Sequence, residues 1–267
     1  MRGSVIDTLG ILLVWCISLL IVKPLGDFPL SDDWAYALTV KHMVKSLDFQ
    51  PVGWIGMPFV TNALWGSVFC IPFGFSFPAL RISTITASLI GILSLYILVR
   101  RELSQSRLLT IIIVPSLGFN PIYYALSNTF MTDVPFTAVV IVAVLFFGRN
   151  LKSDSNFDLV IGTILLMIAT LSRQLAISIG ISFAVCVLLA RGFGTVNIVR
   201  GAIPVLASIA AFLAFQKWLE LSGRLPAGYF TRTDDLLGAS SPRMLLLSLA
   251  TNTRAALIYL GSSCFRS

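Results

Sequence analysis

Long apolar blocks separated by short charged stretches are the feature that most constrains this chain. The blocks cover residues 5–22, 82–99, 108–126, 134–148, 157–171, 175–190 and 201–219, with a weaker one at 244–260. Blocks of this kind are typical of membrane-spanning helices. Only 12% of the 267 residues are charged, whereas soluble domains average about 25%. The sequence therefore predicts an all-α, polytopic integral membrane protein with seven or eight transmembrane helices.

Residues 157–190 are too long for a single span. As one helix they would measure about 51 Å at ~1.5 Å per residue, well beyond a hydrocarbon core of about 30 Å. The polar residues Ser172, Arg173 and Gln174 interrupt the run near its middle. We therefore predict a helical hairpin that turns at these three residues.

The basic residues indicate the orientation in the membrane. The chain has a formal net charge of +7, and short loops at 100–107, 149–152 and 191–200 carry much of the excess. Because basic residues favour cytoplasmic loops, these loops are predicted to be cytoplasmic and the N-terminus to lie inside. Block 5–22 is then a retained first span, since no cleavage site of a signal peptide follows it. Topology accounts for the charge, so no nucleic-acid partner is predicted.

The long segment 23–81 is predicted to form the first outer loop. After Ser31, apolar residues at spacings of three and four predict an amphipathic helix at the membrane interface, with its apolar face formed by Trp34, Ala37, Val40, Val44 and Leu47. Residues 58–77 are apolar but contain Gly66, Pro72 and Gly74, which break a continuous helix. We therefore expect a re-entrant or surface-lying segment there rather than a span.

This topology brings four ionisable residues to the outer side: Asp32, Asp33, Asp133 and Arg173. Ionisable residues at membrane edges are candidates for function. A carboxylate can act as a general base, and Asp33 and Asp133 could together hold a divalent cation. An arginine can bind a phosphate group. Structural roles are the alternative: aspartates suit the first turn of a helix, and Arg173 could extend to lipid phosphates.

Five short motifs carry a family resemblance. They are DDWAYA at 32–37, a proline-containing aromatic stretch at 57–65, FGFSFPALR at 73–81, NPIYYALSNTFMTDVPF at 120–136 and ATLSRQ at 169–174. Together, and in this order, they resemble the polyprenyl-phosphate-sugar-dependent glycosyltransferases of the GT-C superfamily, in particular the protein O-mannosyltransferase and aminoarabinose lipid A transferase group. The resemblance covers residues 30–190.

The resemblance implies an activity and assigns roles. Asp32 and Asp33 take the place of the family's acidic pair, Asp133 that of its second aspartate, and Arg173 that of its basic residue. The implied reaction is an inverting transfer of a sugar from a polyprenyl-phosphate-linked donor to a hydroxyl on a lipid, glycan or protein acceptor. The three aspartates are then catalytic and Arg173 binds the donor phosphate. The site would face the extracytoplasmic side of a bacterial plasma (inner) membrane, in a single module spanning residues 1–267.

The sequence departs from the family pattern in three respects. Asp33 stands where the family usually has glutamate, and Ile55, Gly56 and Met57 stand where a lysine is often found. Family members usually continue through further spans or an outer domain, so a C-terminally truncated member is expected. A small-solute or proton-coupled transporter and a non-catalytic membrane subunit are the alternatives.

Overall fold

The computed structural model describes residues 2–227 of the protein. Ten α-helices run along this part of the chain: α1 (Arg2–Val22), α2 (Asp33–Ser46), α3 (Val60–Cys70), α4 (Phe77–Ile97), α5 (Arg107–Gly118), α6 (Pro121–Ser127), α7 (Asp133–Ser153), α8 (Asn156–Ser172), α9 (Ile177–Arg191) and α10 (Thr195–Leu221). A π-helical turn, Leu98–Glu102, extends α4, and a 3₁₀ turn, Gln174–Ala176, precedes α9. No strand occurs among residues 2–227, which confirms the predicted all-α class.

Each of the seven stronger apolar blocks corresponds to helix. Four helical segments are long and apolar enough to cross a membrane: 77–102, 133–153, 174–191 and 195–221. Helices α5 and α6 are bent by 57° and together form a fifth candidate span. Residues 6–22 and α8 are apolar but shorter. The described residues thus support four or five spans by length and composition, seven or eight remain a prediction, and block 244–260 lies outside them.

Ion pairs join the basic loops at one end of the helix bundle, which we call the basic end. They link Asp7 to Arg107, Glu102 to Arg149 and Lys152, and Asp154 to Arg191 and Arg200. Asp7 lies near the start of α1, and its partners Tyr96 and Arg107 lie near the end of α4 and the start of α5. Helices α1 and α4 therefore run in opposite directions. It follows that residues 23–76 leave and re-enter the bundle at the opposite end, which we call the site end.

The two short helices α2 and α3 pack together at the site end. The Tyr36 ring of α2 lies 4.9 Å from the Phe59 ring, just before α3. Ala37 and Val40 of the predicted apolar face of α2 are buried, whereas Trp34 is 40% and Leu47 89% exposed. The buried face of α2 therefore differs from the apolar face predicted from its sequence. The prediction used the periodicity of α2 alone, whereas packing against α3 determines which face is buried. Helix α3 has only 11 residues, well short of the ~20 that a spanning helix needs.

The break predicted within residues 157–190 is present. Helix α8 ends at Ser172, and Arg173 follows in extended conformation with φ −147° and ψ 127°. After α9, helix α10 returns to the site end, where Arg224 forms a 2.7 Å ion pair with Asp48 behind α2. The C-terminal ends of α8 and α10 and the N-terminal ends of α4 and α7 therefore surround the α2–α3 segment.

Candidate active site

Asp133 and Arg173 form an ion pair at the site end. Asp133 is the first residue of α7, and Arg173 directly follows α8. Arg173 Nη2 lies 2.9 Å from Asp133 Oδ2. Its Nε and Nη2 also donate to the Thr132 hydroxyl, at 2.9 and 2.6 Å. Both members of the pair are partly exposed, at 27% and 37%. Arg173 is therefore held by protein groups, which argues against lipid contact as its only role.

The guanidinium of Arg173 has N–H donors that the described residues leave unused. An arginine has five N–H donors, and the bonds to Thr132 and Asp133 use only Nε and Nη2. Its Nη1 forms no hydrogen bond with the residues that the structure describes. The Thr132 hydroxyl is itself oriented, since it donates to the Met57 sulfur at 3.5 Å. Arg173 thus presents a fixed, partly exposed cation with unused donors, as phosphate binding requires.

Asp33 is buried and engaged with the main chain. Its Oδ1 accepts a hydrogen bond from the Leu30 amide at 2.7 Å, and its Oδ2 accepts one from the Phe130 amide at 3.3 Å. Burial raises the pKa of the Asp33 carboxyl, while the two amides and the charge of Arg81 act in the opposite direction. Since Phe130 lies three residues before Asp133, Asp33 ties the start of α2 to the segment that carries the ion pair.

Asp32 differs sharply from its neighbour. It occupies the N-cap position of α2, but its side chain makes no capping hydrogen bond. It is exposed, and it forms no ion pair with any side chain that the structure describes. A capping hydrogen bond therefore does not account for this residue. Of the two predicted acids, only Asp32 has a carboxylate open to an incoming molecule.

Arg81 is a site-end residue to which the sequence motif assigned no role. Its side chain is almost fully buried, at 1% exposure, and its guanidinium donates to the carbonyls of Pro24, Gly26 and Phe28. It also lies over the Phe28 ring, 5.1 Å from the ring centroid. Arg81 thereby fixes the loop that leads into Asp32. In the sequence, Arg81 is the last residue of the motif at 73–81 and directly precedes an apolar block, and neither feature indicated that it binds carbonyl groups.

The start of α3 is bound to the end of α8 beside Arg173. The Ser172 hydroxyl donates to Asn62 Oδ1, and the Thr61 hydroxyl donates to the Ile168 carbonyl at 3.1 Å. The Phe59 amide donates to the Ser172 carbonyl at 3.4 Å. The predicted site residues did not include Asn62 or Ser172. The sequence signal for Asn62 is its place as a polar residue in the apolar stretch 58–77. These contacts hold the proline-containing segment next to the ion pair.

Two cavities border this cluster. One, of about 520 Å³, lies between α3, α4, α7 and α8, and has an almost entirely apolar lining that ends at Asn62 and Ser172. The other, of about 330 Å³, lies beside Asp133 and is lined in part by Ser116, Asn120 and Thr137. The apolar groove therefore ends at Ser172, the residue before Arg173, and Asp133 itself lines the second, more polar recess.

The structure brings together some, but not all, of the predicted site residues. Asp133 and Arg173 are in contact, and Asp33 reaches the same segment through the Phe130 amide. Asp32 lies next to Asp33 without a direct contact to the ion pair among the described hydrogen bonds. Within residues 2–227 there is no group of three or more His, Cys, Asp or Glu side chains that could hold a metal ion. The predicted cation site at Asp33 and Asp133 stays a prediction.

Comparison with known proteins gives one match. A family model described as dolichyl-phosphate-mannose-protein mannosyltransferase matches residues 57–219. No curated protein and no solved structure matches the chain. The matched range includes Asp133, Arg173 and both cavities, and begins after the acidic pair at 32–33.

Proposed function

The chain belongs to the dolichyl-phosphate-mannose-protein mannosyltransferase family, and from this premise we propose that it transfers a sugar from a polyprenyl-phosphate-linked donor to a hydroxyl acceptor. The observation that carries the proposal is the Asp133–Arg173 ion pair, together with an apolar groove that ends at Ser172, the residue before Arg173. A lipid-linked sugar phosphate has the matching chemistry, since it joins a charged phosphate to a long apolar tail. We place the phosphate at Arg173 and the first isoprene units in the groove.

Arg173 is proposed to bind the phosphate in both the donor and the leaving group. When the bond between the sugar anomeric carbon and the phosphate oxygen breaks, the leaving polyprenyl phosphate keeps the electron pair and gains negative charge. The unused Nη1 donors of Arg173 stabilise that charge. Asp133 and Thr132 hold the guanidinium in place, so little reorganisation is needed during the reaction.

Asp32 is proposed as the general base. Its exposed carboxylate takes the proton from the acceptor hydroxyl as that oxygen bonds to the anomeric carbon, from the face opposite the phosphate. The configuration of the sugar is therefore inverted. Asp33 has a positioning role, because both of its oxygens already accept amide hydrogen bonds and its burial excludes the acceptor. The base and the phosphate site are thus linked through the Asp33–Phe130 contact.

The charged groups sit where a membrane-bound donor could reach them. The isoprenoid tail remains in the hydrocarbon region, and a site at the end of the helix bundle allows the sugar to meet a polar acceptor. We propose that the site end is extracytoplasmic, because the basic end carries the loops that favour the cytoplasm. The proposed setting is a bacterial plasma membrane.

The test is a sugar-transfer assay on purified protein in nanodiscs with a polyprenyl-phosphate-linked sugar donor. Arg173→Gln should lose donor binding and transfer, while Arg173→Lys should retain part of both, because a point charge survives without two-pronged hydrogen bonding. The matched control is Arg149→Gln, which removes an arginine from an ion pair at the basic end. A folded Arg173→Gln variant with normal donor affinity would refute the phosphate assignment. Solute flux in liposomes without sugar transfer would favour the transport alternative.

A further inference from the structure

A separate cavity lies toward the basic end, between α1, α4 and α5. Its volume is about 380 Å³, within the range of ~300–1,000 Å³ that is usual for small-molecule sites. Aliphatic and aromatic side chains form most of its lining. The polar exceptions are Asp7, Tyr96, Arg107 and Thr110, which lie nearest the basic end. The cavity is thus apolar along its length and polar at one end, which is the shape of an amphiphile site.

At the polar end of the cavity, Arg107 has N–H donors that the described residues leave unused. Arg107 Nε and Nη2 donate to Asp7 Oδ1 at 2.9 and 2.7 Å, and the Tyr96 hydroxyl donates to Asp7 Oδ2 at 3.3 Å. The Asp7 carboxylate is therefore satisfied by the protein. Arg107 Nη1 forms no hydrogen bond with the described residues, and the Arg107 side chain is 59% exposed. An incoming anionic oxygen would find these donors at the mouth of the cavity.

The length of the cavity matches one leaflet of a bilayer. Its deeper end is formed by Trp15, which packs against Phe119 and Tyr124 with ring centroids 6.0 and 5.5 Å apart. Along α1, the rise from Asp7 to Trp15 is about 12 Å at ~1.5 Å per residue. That is close to half of the ~30 Å hydrocarbon core. An acyl chain entering at Arg107 would therefore end near the bilayer midplane.

We propose that this cavity retains one glycerophospholipid from the leaflet at the basic end, with an acyl chain between α1, α4 and α5 and the phosphate on Arg107. The polyprenyl-phosphate donor is a poor occupant, because its phosphate must reach Arg173 at the other end of the bundle. The bound lipid would fill the space between α1 and α5, so that it acts as a structural part of the protein rather than as a substrate. The exclusion of the donor rests on the proposed function, whereas the retention of a lipid in this cavity does not.

The test uses a variant that fills the cavity. A Cβ atom added at Gly10 meets no other atom within 4 Å, and Gly10 lines the cavity, so Gly10→Leu should fold and occupy the space of the acyl chain. The control is Leu9→Phe, which adds bulk at a residue that is 58% exposed and outside the cavity lining. Each protein is purified from mixed phosphatidylglycerol and phosphatidylcholine vesicles, and retained lipid is measured by native mass spectrometry after detergent washing.

We expect the wild-type protein and Leu9→Phe to retain one phospholipid per chain. Gly10→Leu should weaken retention about tenfold, equivalent to ~1.4 kcal/mol. Because the Arg107 cation attracts a net negative headgroup, the wild type should favour phosphatidylglycerol over phosphatidylcholine. The double variant Asp7→Asn/Arg107→Gln leaves no buried charge unpaired, and it should hold lipid weakly and without this preference. Equal retention by Gly10→Leu and wild type would overturn the proposal. So would polyprenyl phosphate as the retained species, or an equal loss in Leu9→Phe.

Discussion

Replacing each member of the acidic pair by asparagine should separate a catalytic from a positioning aspartate. Asp32 and Asp33 are adjacent in the sequence, yet one is exposed and the other is fully buried. Asparagine removes the charge with little change in volume. If the assignments are correct, Asp32→Asn will lose activity but keep its stability, whereas Asp33→Asn will lose stability but keep most of its activity.

The structure sets the expected magnitudes. Asp32 has no capping bond to lose, so Asp32→Asn should change the free energy of unfolding by no more than ~0.5 kcal/mol and lower the transfer rate about 10²–10⁴-fold, as expected for loss of a general base. In Asp33→Asn, the amide NH₂ cannot accept a hydrogen bond. Either the Leu30 or the Phe130 amide therefore loses its acceptor, at about 1–3 kcal/mol. The transfer rate per folded molecule should fall by less than about tenfold, or ~1.4 kcal/mol of activation free energy.

Three measurements on the same preparations distinguish the catalytic aspartate from the positioning one. Thermal unfolding gives stability, transfer from a polyprenyl-phosphate-linked sugar gives the rate per folded protein, and the pH dependence of that rate identifies the base. The acidic limb of the pH–rate profile should disappear in Asp32→Asn and remain in Asp33→Asn. Wild-type turnover in Asp32→Asn would refute the base assignment. A stable Asp33→Asn variant with a hundredfold lower rate would move catalysis to the buried residue.

Three other predictions follow from the fold. Arg81→Lys should lower stability by about 2–4 kcal/mol, because one ammonium cannot bind three carbonyls in the geometry of the guanidinium; thermal unfolding measures this, and an unchanged midpoint would contradict it. Because burial raises the pKa of Asp33, its contribution to stability is fully present below the unfolded pKa of ~3.9 and declines as pH rises through the higher folded value. The difference in unfolding free energy between wild type and Asp33→Asn should therefore shrink as pH rises. A difference that grows with pH would show that folding lowers the pKa of Asp33. Cysteines placed at Ser104 and Ser222 in a cysteine-free background should label from opposite sides of the membrane, with Ser222 accessible to an impermeant reagent in intact cells; labelling of both from one side would refute the topology.

Helix positions were largely predictable from the sequence, because lipid requires apolar runs of limited length. The length of residues 157–190 required a break, and the polar residues 172–174 gave its position. The meeting of Asp133 and Arg173 was expected from counting membrane crossings, and the 2.9 Å ion pair is consistent with that count. These inferences depend on positions along the membrane normal, which the order and length of the helices determine directly.

Rotation of helices about their own axes was not predictable in the same way. The different environments of Asp32 and Asp33, and the exposure of Trp34, depend on how α2 turns against α3. Periodicity in α2 alone contains no information about that partner. Arg81 was missed for a related reason: an arginine at the start of a span can face lipid phosphates or fold back onto a loop, and only the path of residues 23–30 decides between them.

Recognition of main-chain carbonyls by Arg81 has a consequence for how this protein can change over evolution. Every amino acid has a carbonyl group, so the loop at residues 24–28 is held in place without reference to most of its side chains. Three positions nevertheless depend on their side chains. The Phe28 ring contacts the guanidinium, an added Cβ at Gly26 would collide with that ring, and the Asp27 carboxylate accepts a hydrogen bond from the Phe77 amide at 3.0 Å. Pro24 and Leu25 can accept substitutions while the loop keeps its path. Position 81 has no such freedom. Substitutions at residues 24 and 25 can therefore change the surface of the loop that leads into the acidic pair without moving Asp32.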